Sequence, residues 1–454
     1  MKALSKTLLL GISTLLLAGC ASTARFPDNP PLTQAEQPAP APANDPDNNS
    51  IILVLSFSGG GSRASALAYG VLDELAETPL NHVTDRRMLD EVDMISAVSG
   101  GSITAAYYGL FGDRLFEDFR ERFLERDAEA EIKASLLEPG TLARLSSPSF
   151  GSGDVLDEYF RRQLFGDAPL DQLIDGEGPL VEINATDIFK GGRFGFIREQ
   201  FGLICSDSRL FPAARAVAAS CAVPLLFSPV TLNNRAGSCN FIPPPWMYDG
   251  LNKRGINNRL YRRAVQYSTY LDSENHPYIH LLDGGLADNL GLRAVIDRVI
   301  ESGGMWETLK RFNQQDARHI VMIAVDASST PPSEWERSAN TPPTKAILDA
   351  ATTTPLANYS FETLEYLRSH IDLWSEEIRQ GRCTGQPECT TPEFYLIEIQ
   401  LEDIAQPDAR ERLTRIPTGF NLQPGVAAEL ITTGKALLKG HPEYHRLLHN
   451  TQSP

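Results

Sequence analysis

Basic residues are in short supply in this 454-residue chain: 41 Lys and Arg stand against 58 Asp and Glu, for a formal net charge of −17. Gripping a nucleic acid backbone takes a basic footprint, so no nucleic acid partner is expected. The acidity reads instead as a solubility device. Beyond the N-terminal stretch no run approaches the roughly 18 unbroken apolar residues that suggest a spanning helix, so the body is expected to be soluble and tethered. Cysteine is sparse, six in all, and no Cys/His spacing suggests zinc. A calcium loop and an internal repeat are also missing. A triple-glycine turn exists at 59–61, but no Gly-Lys-Ser/Thr follows it, which excludes a phosphate loop of the NTPase kind.

What is present begins at the N-terminus. Lys2 and Lys6 flank a short basic region, and "LLLGISTLLLAGC" follows, too short to span a bilayer comfortably and reading as an export signal. It ends in Leu17-Ala18-Gly19-Cys20, which resembles the lipobox of bacterial lipoproteins. That resemblance implies cleavage of residues 1–19, a lipid on Cys20 and, with Ala21 rather than Asp next, an outer-membrane location facing the periplasm. Residues 20–49 are proline-rich and poor in large apolar groups, as expected of a disordered spacer. An exported compartment permits disulfides. Cys383 and Cys389 bracket a five-residue loop and are the first expected pair; Cys205 with Cys239 is a second, leaving Cys221 as a buried thiol.

From Ile51 onward strand-like and helix-like segments alternate. Runs at 51–57, 92–98, 180–183, 278–282, 320–325 and 394–399 read as strands. Helical patterns cover 62–75, 103–111, 209–219, 291–301 and 424–438. The alternation implies an α/β fold: a three-layer α/β/α sandwich around a mainly parallel central sheet. Asp113–Leu137 and Asn233–Pro277 read as helical insertions. The latter holds "FIPPPWMYDG", where Phe241, Ile242, Trp246 and Met247 offer either a lipid contact or a structured surface loop.

Three turns carry the chemistry. The first, "LSFSGGGSRASALAYG" (55–70), empties a strand into Gly59, Gly60 and Gly61 before a helix. Such a turn converges backbone N–H groups on something negative. The loose Gly-x-Gly-x-x-Ala match to a dinucleotide site fails, because the residues where its second strand belongs, 78–90, are polar. The second, "MISAVSGGSITAAYYG" (94–109), puts Ser99 at the apex of a strand–turn–helix with Gly100 and Gly101 behind it, the arrangement of a nucleophile elbow. Ala97 fills the first small position. Ser96 and Ser102 are rivals without small residues two places away on both sides. The third, "YIHLLDGGLADNLGL" (278–292), ends a strand in Asp283 before Gly284 and Gly285; Asp288 is the alternative acid and reads as a helix cap.

These three turns, in this order, resemble the patatin-like phospholipase family; "INATD" (183–187) and "ARAVAASCAVPLLFSPV" (214–230) support the match. The resemblance covers roughly residues 51–299. It implies a hydrolase of membrane acyl lipids, phospholipids or lysophospholipids, with Ser99 as nucleophile and Asp283 as its base, without histidine. Gly59, Gly60, Gly61 and Gly100 are then the candidate oxyanion donors, and Arg63, Gly101, Gly284 and Gly285 support the turns. Arg63 either holds the loop or attracts a lipid phosphate. No cofactor or metal is required. Two alternatives remain: a silent lipid-binding lipoprotein of the same fold, and a triad using His280, His319, His370, His441, His445 or His449, of which His280 lies on the strand face opposite Asp283. The domain expectation is a catalytic core over 50–300 and a C-terminal α/β extension over 301–454 packed on the same domain.

Overall fold

Leu53, Leu55 and Phe57 are wholly buried, and Ile52 nearly so, in the seven-residue strand β1 (Ile51–Phe57). Leu53, Leu55 and Phe57 pack into one apolar cluster, whereas Ile52 and Val54 pack into another. The two-residue alternation of a strand thus feeds a core on each face of one sheet. The computed structural model describes residues 23–33, 50–80, 85–328, 334–384 and 389–452.

The other strands are β2 (Val92–Val98), β3 (Leu180–Asp187), β4 (Gly192–Gly195), β5 (Val230–Asn233), β6 (Tyr278–Asp283), β7 (His319–Asp326) and β8 (Glu393–Gln400). Their order is β5-β6-β3-β2-β1-β7-β8, with β4 paired to β3 off this path. The run β3-β2-β1-β7-β8 is parallel throughout, so its carboxyl ends share one edge. β6 is antiparallel to β3 and pairs only with its last three residues, Asp283 opposite Ala185. β4, β5 and β6 therefore build upward from that edge. The helices used below are α1 (Ser62–Glu77), α2 (Gly100–Phe111), α3 (Ser152–Phe160), α4 (Ala213–Ser220), α5 (Thr344–Cys383) and α6 (Val426–Gly440).

The architecture is the expected α/β fold with a mainly parallel sheet and flanking helices. Several boundaries differ. The C-terminal third shares the sheet of the core: β7 lies against β1 in register from Ile51–His319 to Phe57–Val325, and α6 packs along α1. Gly70 and Gly434 make that helix pair close, since a Cβ on either would meet the carbonyl of Ile431 or Leu67 at 2.1 and 2.4 Å. The pattern over 209–219 is split by Pro212 into a single turn and α4. Within the expected spacer 20–49, residues 23–33 instead follow a fixed course over the body. Asn29, fully buried, donates its amide to Ser206 Oγ and the Asn233 carbonyl and accepts from the Asn233 N–H. Composition does not show such a strap, because its partners lie about 200 residues away. In the "FIPPPWMYDG" segment Trp246 and Met247 are buried and Phe241 crowds Gly202, leaving Ile242 and Tyr248 exposed; it is a structured insertion. The disulfides Cys205–Cys239 and Cys383–Cys389 and the buried free Cys221 are as expected. Cys20 lies outside the described residues.

Candidate functional site

β2 ends at Val98, and α2 begins at Gly100, so one residue must turn the chain. That residue is Ser99, at φ 49° and ψ −127°, a backbone that L side chains rarely adopt. Such strain persists only where the surroundings hold it, and here they do. The Ser99 N–H donates to Ser220 Oγ at 2.8 Å, and Ser220 Oγ donates to the Asn184 carbonyl at 2.6 Å. The turn lifts the hydroxyl to the carboxyl edge of the sheet.

Asp283 reaches the same place from the opposite direction, at the end of antiparallel β6. Ser99 Oγ donates to Asp283 Oδ2 at 2.7 Å, across 184 residues of chain. The other carboxylate oxygen accepts the Gly285 N–H at 2.8 Å, and the Asp283 N–H and carbonyl are tied to Ala222 and Thr186 Oγ1. Ser99 is 3 % exposed and Asp283 8 %, so the pair sits in a nearly dry setting. Burial pushes the Asp283 carboxyl up to about 6, against the opposing pull of the Ser99 and Gly285 hydrogen bonds. Cys221 lies beside the pair; burial and the Asp283 carboxylate push its thiol up, which keeps it neutral and unreactive.

The triple-glycine turn packs onto the elbow. A Cβ on Gly59 would come within 3.3 Å of Ser99 Cβ, and one on Gly100 would overlap the Gly61 carbonyl at 2.0 Å. Gly61, at φ 62°, is crossed by Gly419, whose carbonyl accepts the Ser62 N–H at 2.9 Å. The amides of Gly60, Gly61 and Gly100 have no protein partner among the described residues. Gly59 departs from expectation: its N–H is spent on the Asn289 carbonyl at 3.0 Å, so it spaces the turn and donates nothing to a ligand. Gly101 and Gly284 are close-approach positions, against Ser58 and Asn184 carbonyls. Arg63 is 2 % exposed and donates to the carbonyls of Ala327, at 2.7 Å, and Ile416. Burial brings its guanidinium down to about 10. It fastens the turn to β7 and the 416–420 loop and is shut off from any lipid phosphate.

The rivals are occupied elsewhere. Ser96 Oγ donates to the Gly291 carbonyl, Ser102 Oγ to the Ser99 carbonyl, and Asp288 accepts the Arg293 N–H at 2.8 Å. Burial raises Asp288 to about 6 as well, but it has no nucleophile beside it. His280 bonds Thr231, His319 bonds Tyr395 and His370 bonds the Tyr366 carbonyl; none of these touches Ser99 or Asp283. Ser220, Asn289 and the 416–420 loop complete the site without having been singled out in the sequence. Ser220 lies inside the 214–230 segment, but nothing local links it to Ser99. No group of His, Cys, Asp or Glu among the described residues is arranged to hold a metal.

A family model described as patatin-like phospholipase matches residues 55–296, slightly more than half of the chain. Among solved structures, human GIVD cytosolic phospholipase A2 is similar over 89 % of this chain and 63 % of its own, at 14 % identity and a TM-score of 0.45. The same enzyme in complex with methyl gamma-linolenyl fluorophosphonate is similar over 89 % and 59 %, at 13 % identity and a TM-score of 0.41. The chain thus spans less than two thirds of the length of these structures. No curated protein matches.

Proposed function

The chain belongs to the patatin-like phospholipase family, and from that premise we propose that it is a lipid ester hydrolase with a Ser99–Asp283 dyad acting on the acyl esters of phospholipids or lysophospholipids. The observation that carries this reading is the 2.7 Å hydrogen bond from Ser99 Oγ to a buried carboxylate raised toward neutrality. A carboxylate of ordinary pKa, about 3.9, is too weak a base for a hydroxyl. Raised to about 6, it still ionises at neutral pH and takes a proton more readily.

In the first step Ser99 Oγ attacks the acyl carbonyl while its proton passes to Asp283 Oδ2. The carbonyl oxygen becomes anionic and meets the amides of Gly60, Gly61 and Gly100. Collapse breaks the ester C–O bond, and Asp283 returns its proton to the leaving alcohol oxygen. Water, deprotonated by Asp283, then attacks the acyl-Ser99 ester; the acyl carbon–Oγ bond breaks, Asp283 returns the proton to Ser99 Oγ, and the fatty acid leaves. Lone oxyanion donors are each worth on the order of 10²–10³ in rate. We also propose that Cys20 carries a lipid and holds the enzyme at a bacterial outer membrane, facing the periplasm; mass spectrometry of the mature N-terminus checks this.

The test incubates the purified protein and Ser99→Ala with mixed membrane phospholipids and follows the products by mass spectrometry. Free fatty acid and matching lysolipid from the parent, and neither from Ser99→Ala, are expected. Equal product from both would overturn the assignment.

A further inference from the structure

The backbone that positions Asp283 continues directly into an apolar, outward-facing loop. Ala222 accepts the Asp283 N–H; Pro224, Leu225 and Leu226 follow within four residues. Leu225 and Leu226 are 73 % and 65 % exposed. Leu225 also takes φ 71°, which is unusual for a bulky residue. Two adjacent leucines held out to water by an unfavourable backbone, beside a catalytic carboxylate, are poorly explained by packing. Further apolar groups lie toward the same edge of the sheet: Phe189, just past the end of β3, and Tyr278, where β6 begins above it.

The N-terminal strap leads to the same place. Ser147 Oγ donates to the Ala24 carbonyl and the Phe26 N–H donates to the Ser149 carbonyl. Three residues beyond Ser149, the start of α3 is joined to the loop's far end: Gly153 N–H donates to Ser228 Oγ at 3.0 Å and Ser228 N–H to Ser152 Oγ at 2.8 Å. The chain therefore leaves the body next to the 223–228 loop. Only Ala21 and Ser22 separate Thr23 from Cys20, a reach of roughly 10 Å.

We propose that the face around Leu225 and Leu226 is the surface by which the protein docks on a lipid bilayer. The leucines enter the acyl region, and the strap keeps the chain's exit on that face, so that the bilayer lies across the mouth of the Ser99 site. This rests on the lipid-hydrolase reading above. With a net charge of −17, apolar insertion rather than attraction to anionic headgroups supplies the contact, so zwitterionic lipid suffices.

Full-length protein carrying Ser99→Ala and Leu225→Trp, reconstituted with brominated phosphatidylcholine vesicles, tests the contact apart from turnover. Tryptophan quenching clearly above that of Ser99→Ala alone is expected. No increment is expected for Leu373→Trp, exposed on α5 toward the end where Arg382 bonds Ala317 below β7. In parallel, Leu225→Asp/Leu226→Asp should hydrolyse phosphatidylcholine vesicles roughly tenfold or more slowly than parent, yet cleave a water-soluble short-chain ester at the parent rate. No quenching increment at Leu225→Trp overturns the proposal. So does parent-like vesicle hydrolysis by the Asp variant, or equal loss on both esters. Quenching in a protein whose parent cleaves neither ester would remove the hydrolase reading and leave the docking surface standing.

Discussion

At Asp283 two influences oppose each other: burial favours the neutral acid, and the hydrogen bonds from Ser99 and Gly285 favour the carboxylate. Burial wins, and the group titrates near 6. Since the base must be ionised to accept the Ser99 proton, kcat/KM is predicted to fall about tenfold per pH unit below about pH 6 and to be flat just above it. The stability consequence has the opposite sense. Between the ordinary carboxylate range near 3.9 and about 6, the native state keeps a proton that the unfolded chain has lost. Stability therefore declines as pH rises through that window, and the cost is fully felt above it. Asp283→Asn should accordingly abolish hydrolysis while stabilising the fold at pH 8 by up to about 3 kcal/mol, an advantage absent near pH 3. Denaturant melts at the two pH values check it; a variant less stable than parent at pH 8 would contradict the pKa assignment. Ser99 and Asp283, the two members of the proposed dyad, were both legible in the sequence, because each ends a strand at a Gly-Gly turn and the two turns together resemble the patatin-like motifs. Ser220, which holds the Ser99 backbone, was not, because its role exists only across 121 residues of chain.

Among the elements, the glycine turn and the strap matter most. Gly61 combines φ 62° with a Cβ position 2.1 Å from the Gly419 carbonyl, so Gly61→Ala must displace the 416–420 loop or the turn itself. The expected result is a fall in kcat on the order of 10²-fold, with a lower melting temperature, since one oxyanion donor is misplaced. Unchanged kcat would remove this turn from the chemistry. For the strap, Asn29→Ala leaves the part-buried Asn233 N–H and carbonyl without their Asn29 partners, at up to about 1 kcal/mol for each group. Limited proteolysis should then cut within residues 23–33 in the variant and spare them in the parent. β1 and β2 were readable to the residue, because buried parallel strands are continuous apolar runs. β4 and β5, at four residues each, are too short to show a pattern, and the polarity of β6 depends on its crossover rather than its composition.

For the molecule as a whole, the sheet does not respect the division at residue 300. β1, which delivers the glycine turn, is flanked by β2 on one side and by β7 from the C-terminal third on the other. The motifs fall before residue 300, which is why sequence reading placed the core there; the loop that braces Gly61 and Arg63 lies at 416–420. A fragment of residues 50–300 exposes one flank of β1 and the face of α1 that packs on α6. It is predicted to lack a cooperative thermal transition, which circular dichroism would show. A fragment that melts like the full chain would show that residues 50–300 fold without the C-terminal strands.

The most direct test of the dyad treats the folded protein with an alkyl fluorophosphonate and maps the adduct by peptide mass spectrometry. A single phosphonylated residue, Ser99, is predicted, with labelling lost in Asp283→Asn and retained when each of His280, His319, His370, His441, His445 and His449 is changed to Ala. An unlabelled folded protein, an adduct on another serine, or labelling that vanishes with one histidine would contradict it.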